Sequence, residues 1–319
     1  MAMSIRAYGQ SGLQVSAVTY GAMTLAHDKA IKDGVAPSLL RALEGGVTLI
    51  DTARAYPGSE EIIASTLRAW QGPRPLISTK LMPSSRETFR FYRPLAEAYT
   101  AQTIRASVEA SLRTLQVEQL DIVHLHQWHY LWTHEREWFG ALNELRAAGK
   151  ISCIAVSAQD HEHDALLEII SEGLIDGVQI IFNVFESRPM SALLPLARQR
   201  GVGVIARCVY DSGGLSGTLS MEDFFNRPFL KHAPYGQYRE RVDELQRRFI
   251  PLIAASLPEL ALRFALSVDG VSTVTVGMPD TALVDATLTA ATHEPLPTAV
   301  VDAIRREHVW TRNFYERLL

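Results

Sequence analysis

The sequence predicts a single (β/α)8 barrel, with an N-terminal β-hairpin and a C-terminal helical extension, on three observations. Short β-rich runs alternate with longer helical patterns along most of the 319 residues. The runs are too apolar to face water on either side, which suits parallel strands covered by helices. No early strand is followed by a GxGxxG turn, which weakens the competing doubly wound open sheet. No composition shift marks a boundary, so residues 1–319 read as one domain, a length that α/β barrels reach undivided.

Ahead of the barrel, Arg6 to Tyr8 and Leu13 to Val15 around Gly9 and Gly12 read as a hairpin placed to plug the floor. Val15 to Tyr20 is the first barrel strand, and the APSLLRALEGG helix after it stops on glycine at Gly46. Val47 to Asp51 is the second strand, followed by a helix over Glu60 to Trp70. Pro75 to Lys80 is the third, followed by Thr103 to Leu115 with Val108, Leu112 and Leu115 on one stripe. Gln119 to His126, Ile151 to Ser157, Gly177 to Asn183, Gly203 to Arg207 and Thr273 to Val276 complete the eight. Helices at Phe139 to Ala148 and Leu193 to Arg200 fall between them, and C-terminal helices close around Val300 to Leu318. Leu81 to Gln102 and Val209 to about Leu245 exceed ordinary loop length. Both follow strands, so both belong to the C-terminal rim as lids or binding loops.

Composition narrows the partners. The chain is 47% apolar and 21% charged, with a mean hydropathy of +0.02, the proportions of a globular protein able to bury a sizeable core. Its 31 basic and 35 acidic residues give a net charge of −4, and neither sign forms a long block that would draw in nucleic acid or anionic lipid. A small neutral or polar ligand is expected instead. Cys153 and Cys208 lie far apart in apolar stretches, which offers neither a disulfide framework nor a clustered thiolate site and fits a reducing cytoplasm. The opening MAMSIRAYGQSG lacks the apolar core of an export signal, and no stretch approaches 18 uninterrupted apolar residues.

In such a barrel the reactive groups come from the C-terminal strand ends. Those ends carry Asp51, Lys80, His126, Ser157 and Asn183, with Tyr56 in the loop after Asp51. Each alone has a plain reading: Asp51 as a helix cap, Lys80 as a rim charge, Tyr56 as a packing residue, His126 as a core histidine. Four of them converging on one face favour chemistry, because a buried charge is costly unless paired. A phenol is a poor acid at neutral pH until a nearby cation favours the phenolate. Lys80 supplies that cation, Asp51 holds the charge on the lysine, and His126 orients a substrate carbonyl. Together they make a proton donor at the oxygen of a C=O group, half of carbonyl reduction. The other half is hydride, which no side chain supplies, so a nicotinamide cofactor is implied.

The sequence resembles the aldo-keto reductase family over nearly its whole length. The matching pieces are SGLQVSAVTYGAMT from Ser11, DTARAYPGSEE from Asp51, STK ending at Lys80, SLRTLQVEQLDIVHLH ending at His126 and IAVS ending at Ser157. GVQIIFNVFESRP, GVGVIAR, GGLSGTL and PELALRFALSVDGVSTVTVGM follow in the same order. The resemblance implies a (β/α)8 barrel with a catalytic tetrad at Asp51, Tyr56, Lys80 and His126. It makes Tyr56 the general acid or base, tuned by Lys80 and Asp51, with His126 positioning the carbonyl.

The same resemblance implies cofactor contacts at Gly21, Met23, Ser157, Gln179, Arg207, Gly277 and Asp280, and in the glycine-rich loop at Gly213, Gly214, Leu215 and Gly217. Ala158 departs from the pattern, standing where relatives carry an Asn beside the Ser. Arg207 stands where an aromatic ring often stacks on the nicotinamide, a role its planar guanidinium suits. Most relatives use NADP(H) and grip its 2′-phosphate with a cation just beyond the eighth strand. Here no Lys or Arg occurs between Arg263 and Arg305, and Asp280 stands about where the cation is expected. NADP(H) with weak 2′-phosphate discrimination is therefore the expectation, and NAD(H) the alternative. As a plain alternative, Asp280 caps the helix that starts near Thr281.

Two further readings stand beside the enzyme. The HLHQWH string places His124 and His126 two apart on one strand face, as in metal-dependent barrel hydrolases, but Lys80 and Arg207 are poor metal neighbours, and no metal is assigned. A cofactor-binding regulatory subunit with little turnover is the other. For substrate, Trp128 and His129, with Tyr130, Trp132, Phe89, Phe91 and Tyr92, suggest an aromatic-walled pocket for a bulky aldehyde, ketone or sugar-like ring.

Overall fold

Eight parallel strands close on themselves in the computed structural model of the protein, which describes residues 3–28, 30–84, 92–227, 230 and 233–310. A hairpin precedes them, with β1 (Ile5–Ala7) antiparallel to β2 (Gln14–Ser16). The barrel strands are β3 (Val18–Gly21), β4 (Leu49–Asp51), β5 (Leu76–Leu81), β6 (Leu120–Leu125), β7 (Ile151–Ser157), β8 (Gly177–Ile181), β9 (Gly203–Arg207) and β10 (Thr273–Gly277). Each pairs with its sequence neighbours, and β10 returns to β3 through the register Val274↔Val18 to Gly277↔Gly21. The stretch expected as one strand from Val15 to Tyr20 divides at Ala17 between β2 and β3, because the hairpin uses its first half.

Helices cover the outside. Those between strands are α1 (Pro37–Glu44), α2 (Ser59–Ala69), α3 (Leu95–Ala98), α4 (Ala101–Leu115), α5 (Glu137–Ala147), α6 (Leu167–Ser171) and α7 (Leu193–Arg200). α8 (Met221–Asn226), α9 (Tyr235–Phe249) and α10 (Leu257–Leu266) follow β9, and α11 (Thr281–Ala291) and α12 (Thr298–His308) follow β10. The local sequence explains several starts. Pro37 occupies the first turn of α1, Thr100 and Thr103 cap α4 reciprocally, and Ser256 accepts from the Glu259 N–H at the head of α10. The segment from Val209 to Leu245, expected as a long loop, holds the 3-10 turn Asp211–Ser216, α8 and most of α9. Likewise α3 and the head of α4 lie within Leu81 to Gln102. Phe89 and Phe91, and the part of the expected C-terminal helix beyond Trp310, lie outside the described residues.

The hairpin closes the N-terminal end of the barrel. Tyr8, Val15, Leu49, Ile122, Cys153, Ala155 and Ile205 form one buried cluster there. Tyr8 fits because Gly177 and Gly203, the first residues of β8 and β9, have no side chain. A Cβ at Gly177 would lie 1.8 Å from the Tyr8 hydroxyl, and one at Gly203 would lie 2.5 Å from its ring. Floor packing thus leaves the C-terminal mouth for chemistry. No helix among the described residues is long and apolar enough to cross a membrane.

Candidate active site

Asp51 ends β4 and Lys80 stands near the end of β5, where alternation puts Ser78 and Lys80 on the inner face and Thr79 on the outer. Lys80 Nζ donates to Asp51 Oδ2 at 2.8 Å and to the Thr52 carbonyl at 2.9 Å, while Ser78 Oγ donates to Asp51 Oδ1 at 2.9 Å. Lys80 is 1% exposed and Asp51 3%, so both charges are held out of water, and each is satisfied by the other and by these extra bonds.

Tyr56 lies in the loop between β4 and α2. Its N–H donates to the Ala53 carbonyl at 2.9 Å, and the loop is tied to β5 by Thr52 N to Ser78 O at 2.8 Å and Arg54 N to Lys80 O at 3.3 Å. Lys80 Nζ stands 5.3 Å from the centre of the Tyr56 ring. His126, one residue beyond β6, meets that ring edge-on, with centroids 6.2 Å apart. Its Nδ1 is buried without a protein partner. Burial, reinforced by the Lys80 charge, holds the His126 imidazole down to about 3, so it is neutral at ordinary pH. Asp51, Tyr56, Lys80 and His126 thus lie together at one mouth.

His124 points into the barrel one turn of the pleat deeper. Its Nε2 lies 3.1 Å from Ser78 Oγ, and burial, then Lys80, lowers it to about 3. Among the described residues no group of three or more His, Cys, Asp or Glu side chains is placed to hold a metal ion. Ser78 was not singled out in the sequence, although its position two residues before Lys80 puts it on the same face. It links Asp51 to His124.

Ser157 and Gln179 are register partners across β7 and β8, and Gly277, Gly21 and Asp51 are successive register partners across β10, β3 and β4. Met23 follows on the 3-10 turn Ala22–His27 and is 56% exposed. The residues present fit a nicotinamide cofactor on one observation in particular. Gln179 Nε2 is a buried donor without a protein partner beside Ser157, and the hydroxyls of Thr24 and Thr275 are buried and unpartnered near Gly277 and Gly21. Such groups call for a polar ligand.

The remaining cofactor expectations are placed less simply. Arg207 ends β9, where it donates to the Ala158 carbonyl at 3.1 Å and to Asp160 Oδ1 at 2.9 Å. Burial works against its charge, but Cys208 and Asp160 more than offset this and hold it above the usual arginine range. The glycine-rich loop forms the 3-10 turn, in which the N–H groups of Gly213 and Leu215 both donate to the Tyr210 carbonyl. Gly214 is required by Tyr238 of α9, whose hydroxyl would lie 1.7 Å from a Cβ there and donates to Asp211 Oδ2 at 2.8 Å. Gly217 closes the turn with φ of 78°. Asp280 is the N-cap of α11, its Oδ1 accepting from the Leu283 N–H at 2.8 Å.

Trp128 departs from its expected place on a pocket wall. Its indole packs edge-on against Trp132 and Trp138, and the residue is 1% exposed. The ring packs into the core through Trp132 and Trp138, while its Nε1 is buried without a protein partner. The exposed aromatic surface at this rim is made instead by His129 stacked on Tyr130 at 4.7 Å and flanked by Tyr92 at 5.1 Å.

A closed parallel barrel with an ion pair, an imidazole and a phenol gathered at its C-terminal mouth has the layout of a barrel enzyme. The chain belongs to the aldo/keto reductase family, whose profile matches residues 17–307. It is therefore an oxidoreductase of a family that uses nicotinamide cofactors. It is 28% identical to L-galactose dehydrogenase of Arabidopsis thaliana over 301 residues, 91% of this chain and 88% of that one. It is 29% identical to an NADH-specific methylglyoxal reductase of Escherichia coli strain K12 over 195 residues, 58% of this chain and 59% of that one. The holo form of an aldo-keto reductase from Bacillus halodurans superimposes with a TM-score of 0.78 at 25% identity, covering 99% of both chains.

Proposed function

We propose that the protein interconverts a carbonyl and an alcohol with NADP(H), Tyr56 acting as general acid in reduction and general base in oxidation. The observation that carries this reading is the buried Lys80–Asp51 pair beneath the Tyr56 ring, with a neutral imidazole at its edge. Lys80, fixed by Asp51 and the Thr52 carbonyl, favours the phenolate that remains when Tyr56 gives its proton to the substrate oxygen. Neutral His126 offers a ring N–H to the same oxygen without competing as an acid. The nicotinamide supplies or accepts the hydride when bound. Ser157 and Gln179 are the side chains we assign to its carboxamide, and Gly21, Met23, Gly277 and the Gly213–Gly217 loop to the rest of the dinucleotide.

Weak discrimination between NADP(H) and NAD(H) is part of the proposal. No Lys or Arg lies in the α11 segment, and Arg41, which reaches α11 from α1, is paired with Asp285 at 2.7 Å. The His129, Tyr130 and Tyr92 rings favour a substrate with a planar or apolar face. Tyr56→Phe tests the assignment, because it deletes only the hydroxyl. Turnover of any accepted carbonyl should fall by about 10²–10⁴-fold, while cofactor affinity read by tryptophan fluorescence stays within about twofold. Undiminished turnover in that variant would end the assignment.

A further inference from the structure

Glu60 is a buried carboxylate outside the four residues at the mouth. It stands in the first turn of α2, 3% exposed, and donors from three different elements converge on it. Thr79 Oγ1 of β5 reaches Oε1 at 2.9 Å, Ser111 Oγ of α4 reaches the same oxygen at 2.8 Å, and Arg54 Nη1 reaches Oε2 at 2.7 Å. Burying a carboxylate is costly before partners are counted, and an apolar side chain of like size would fill the same space. What an apolar side chain does not do is hold these three donors in one register.

Two of those donors flank the chemistry. Thr79 immediately precedes Lys80, and its side chain is on the outer face of the strand that aims the lysine inward. Arg54 lies two residues before Tyr56, and Glu60 lies four after it. Their ion pair therefore closes the loop that carries the phenol, while the Arg54 N–H ties that loop to the Lys80 carbonyl. We infer that Glu60 is a positioning residue, which fixes the Tyr56 loop against the Lys80 strand and so sets the distance between phenol and ammonium. The inference rests on the reaction proposed above.

The experiment compares wild type, Glu60→Gln, Arg54→Met and Ser111→Ala in steady-state reduction across pH, with NADPH affinity measured in parallel. Glu60→Gln and Arg54→Met should lose about 10- to 100-fold in kcat, the scale expected of a misplacement near 1 Å, with cofactor affinity unchanged. The two effects of Glu60→Gln have opposite signs. A loop drifting from the ammonium moves the alkaline limb of kcat/KM to higher pH, whereas deletion of a negative charge alone moves it lower. Ser111→Ala removes one bond to the same carboxylate on the side away from the loop, so it should leave kcat and the limb at wild-type values. Wild-type kcat in Glu60→Gln and Arg54→Met, a limb at lower pH in Glu60→Gln, or an equal loss in Ser111→Ala overturns the inference. If Glu60→Gln does not fold, Arg54→Met decides it, since that side chain is 32% exposed and a methionine keeps much of its stem. A wild type that reduces no carbonyl at all is a different failure. It removes the proposed reaction, and the positioning role falls with it.

Discussion

His124 and His126 are both buried and each sits within the field of Lys80, and the protein meets the cost by keeping both rings neutral. Their folded-state values of about 3 lie below the ordinary 6.5, so the unfolded chain binds protons that the folded chain does not. Stability from these groups is therefore complete above about pH 6.5 and is lost as pH falls toward 3, by up to about 1.4 kcal/mol per pH unit for each. His163 and His308 are lowered by burial as well and add to the slope. His124→Asn should flatten the fall of the urea midpoint between pH 6.5 and 4 by no more than one histidine's share. An unaltered slope would assign the acid sensitivity to other groups. At this scale much was legible, because Asp51, Lys80 and His126 lie at or near strand ends and the barrel rule says where those ends point. Trp128 was not. Its distance from His126 along the chain is the same whether the indole faces the rim or turns back onto Trp138.

Secondary-structure elements were legible where periodicity was strong and caps were local. All eight barrel strands and the helices at Pro37–Glu44, Ser59–Ala69, Ala101–Leu115, Glu137–Ala147 and Leu193–Arg200 fall within a few residues of their expected bounds. α9 escaped although Tyr238, Val242, Leu245 and Phe249 recur at helical spacing, because Pro-containing stretches precede it and most of its other side chains are charged or polar. Asp280 is where element and function meet. As the N-cap of α11 it accounts for about 1 kcal/mol of stability, which Asp280→Ala should lose and Asp280→Ser should keep. Both variants delete a carboxylate from about the place where the family resemblance expects a cation for the 2′-phosphate. The ratio of NADPH to NADH affinity, from fluorescence quenching, should therefore rise about fivefold in both, the effect of removing roughly 1 kcal/mol of repulsion. A ratio that rises in neither places the 2′-phosphate away from Asp280.

Across the whole molecule the barrel separates the end that is packed from the end that reacts. Its floor is sealed by Tyr8 against Gly177 and Gly203, and the Tyr8 hydroxyl is buried without a partner. A buried, unsatisfied hydroxyl costs about 1–3 kcal/mol, so Tyr8→Phe should be neutral or stabilising even though it removes a polar atom from a well-packed site. Gly177→Ala should do the opposite. Its methyl would stand 1.8 Å from that hydroxyl and 2.5 Å from the ring carbon bearing it, and overpacking of this kind costs about 1–3 kcal/mol. The double variant should recover part of the loss, because the nearest of the three clashing atoms is gone, and thermal unfolding of the four proteins measures that coupling. Turnover and cofactor affinity should stay at wild-type values in the stable members of this cycle, since Gly177 opens β8 at the floor while Gln179 and the strand ends face the mouth. A change in NADPH affinity without a change in stability would mean that the floor is felt at the reactive end. The pleat of β8, only two residues from Gly177 to Gln179, is the path by which that would happen.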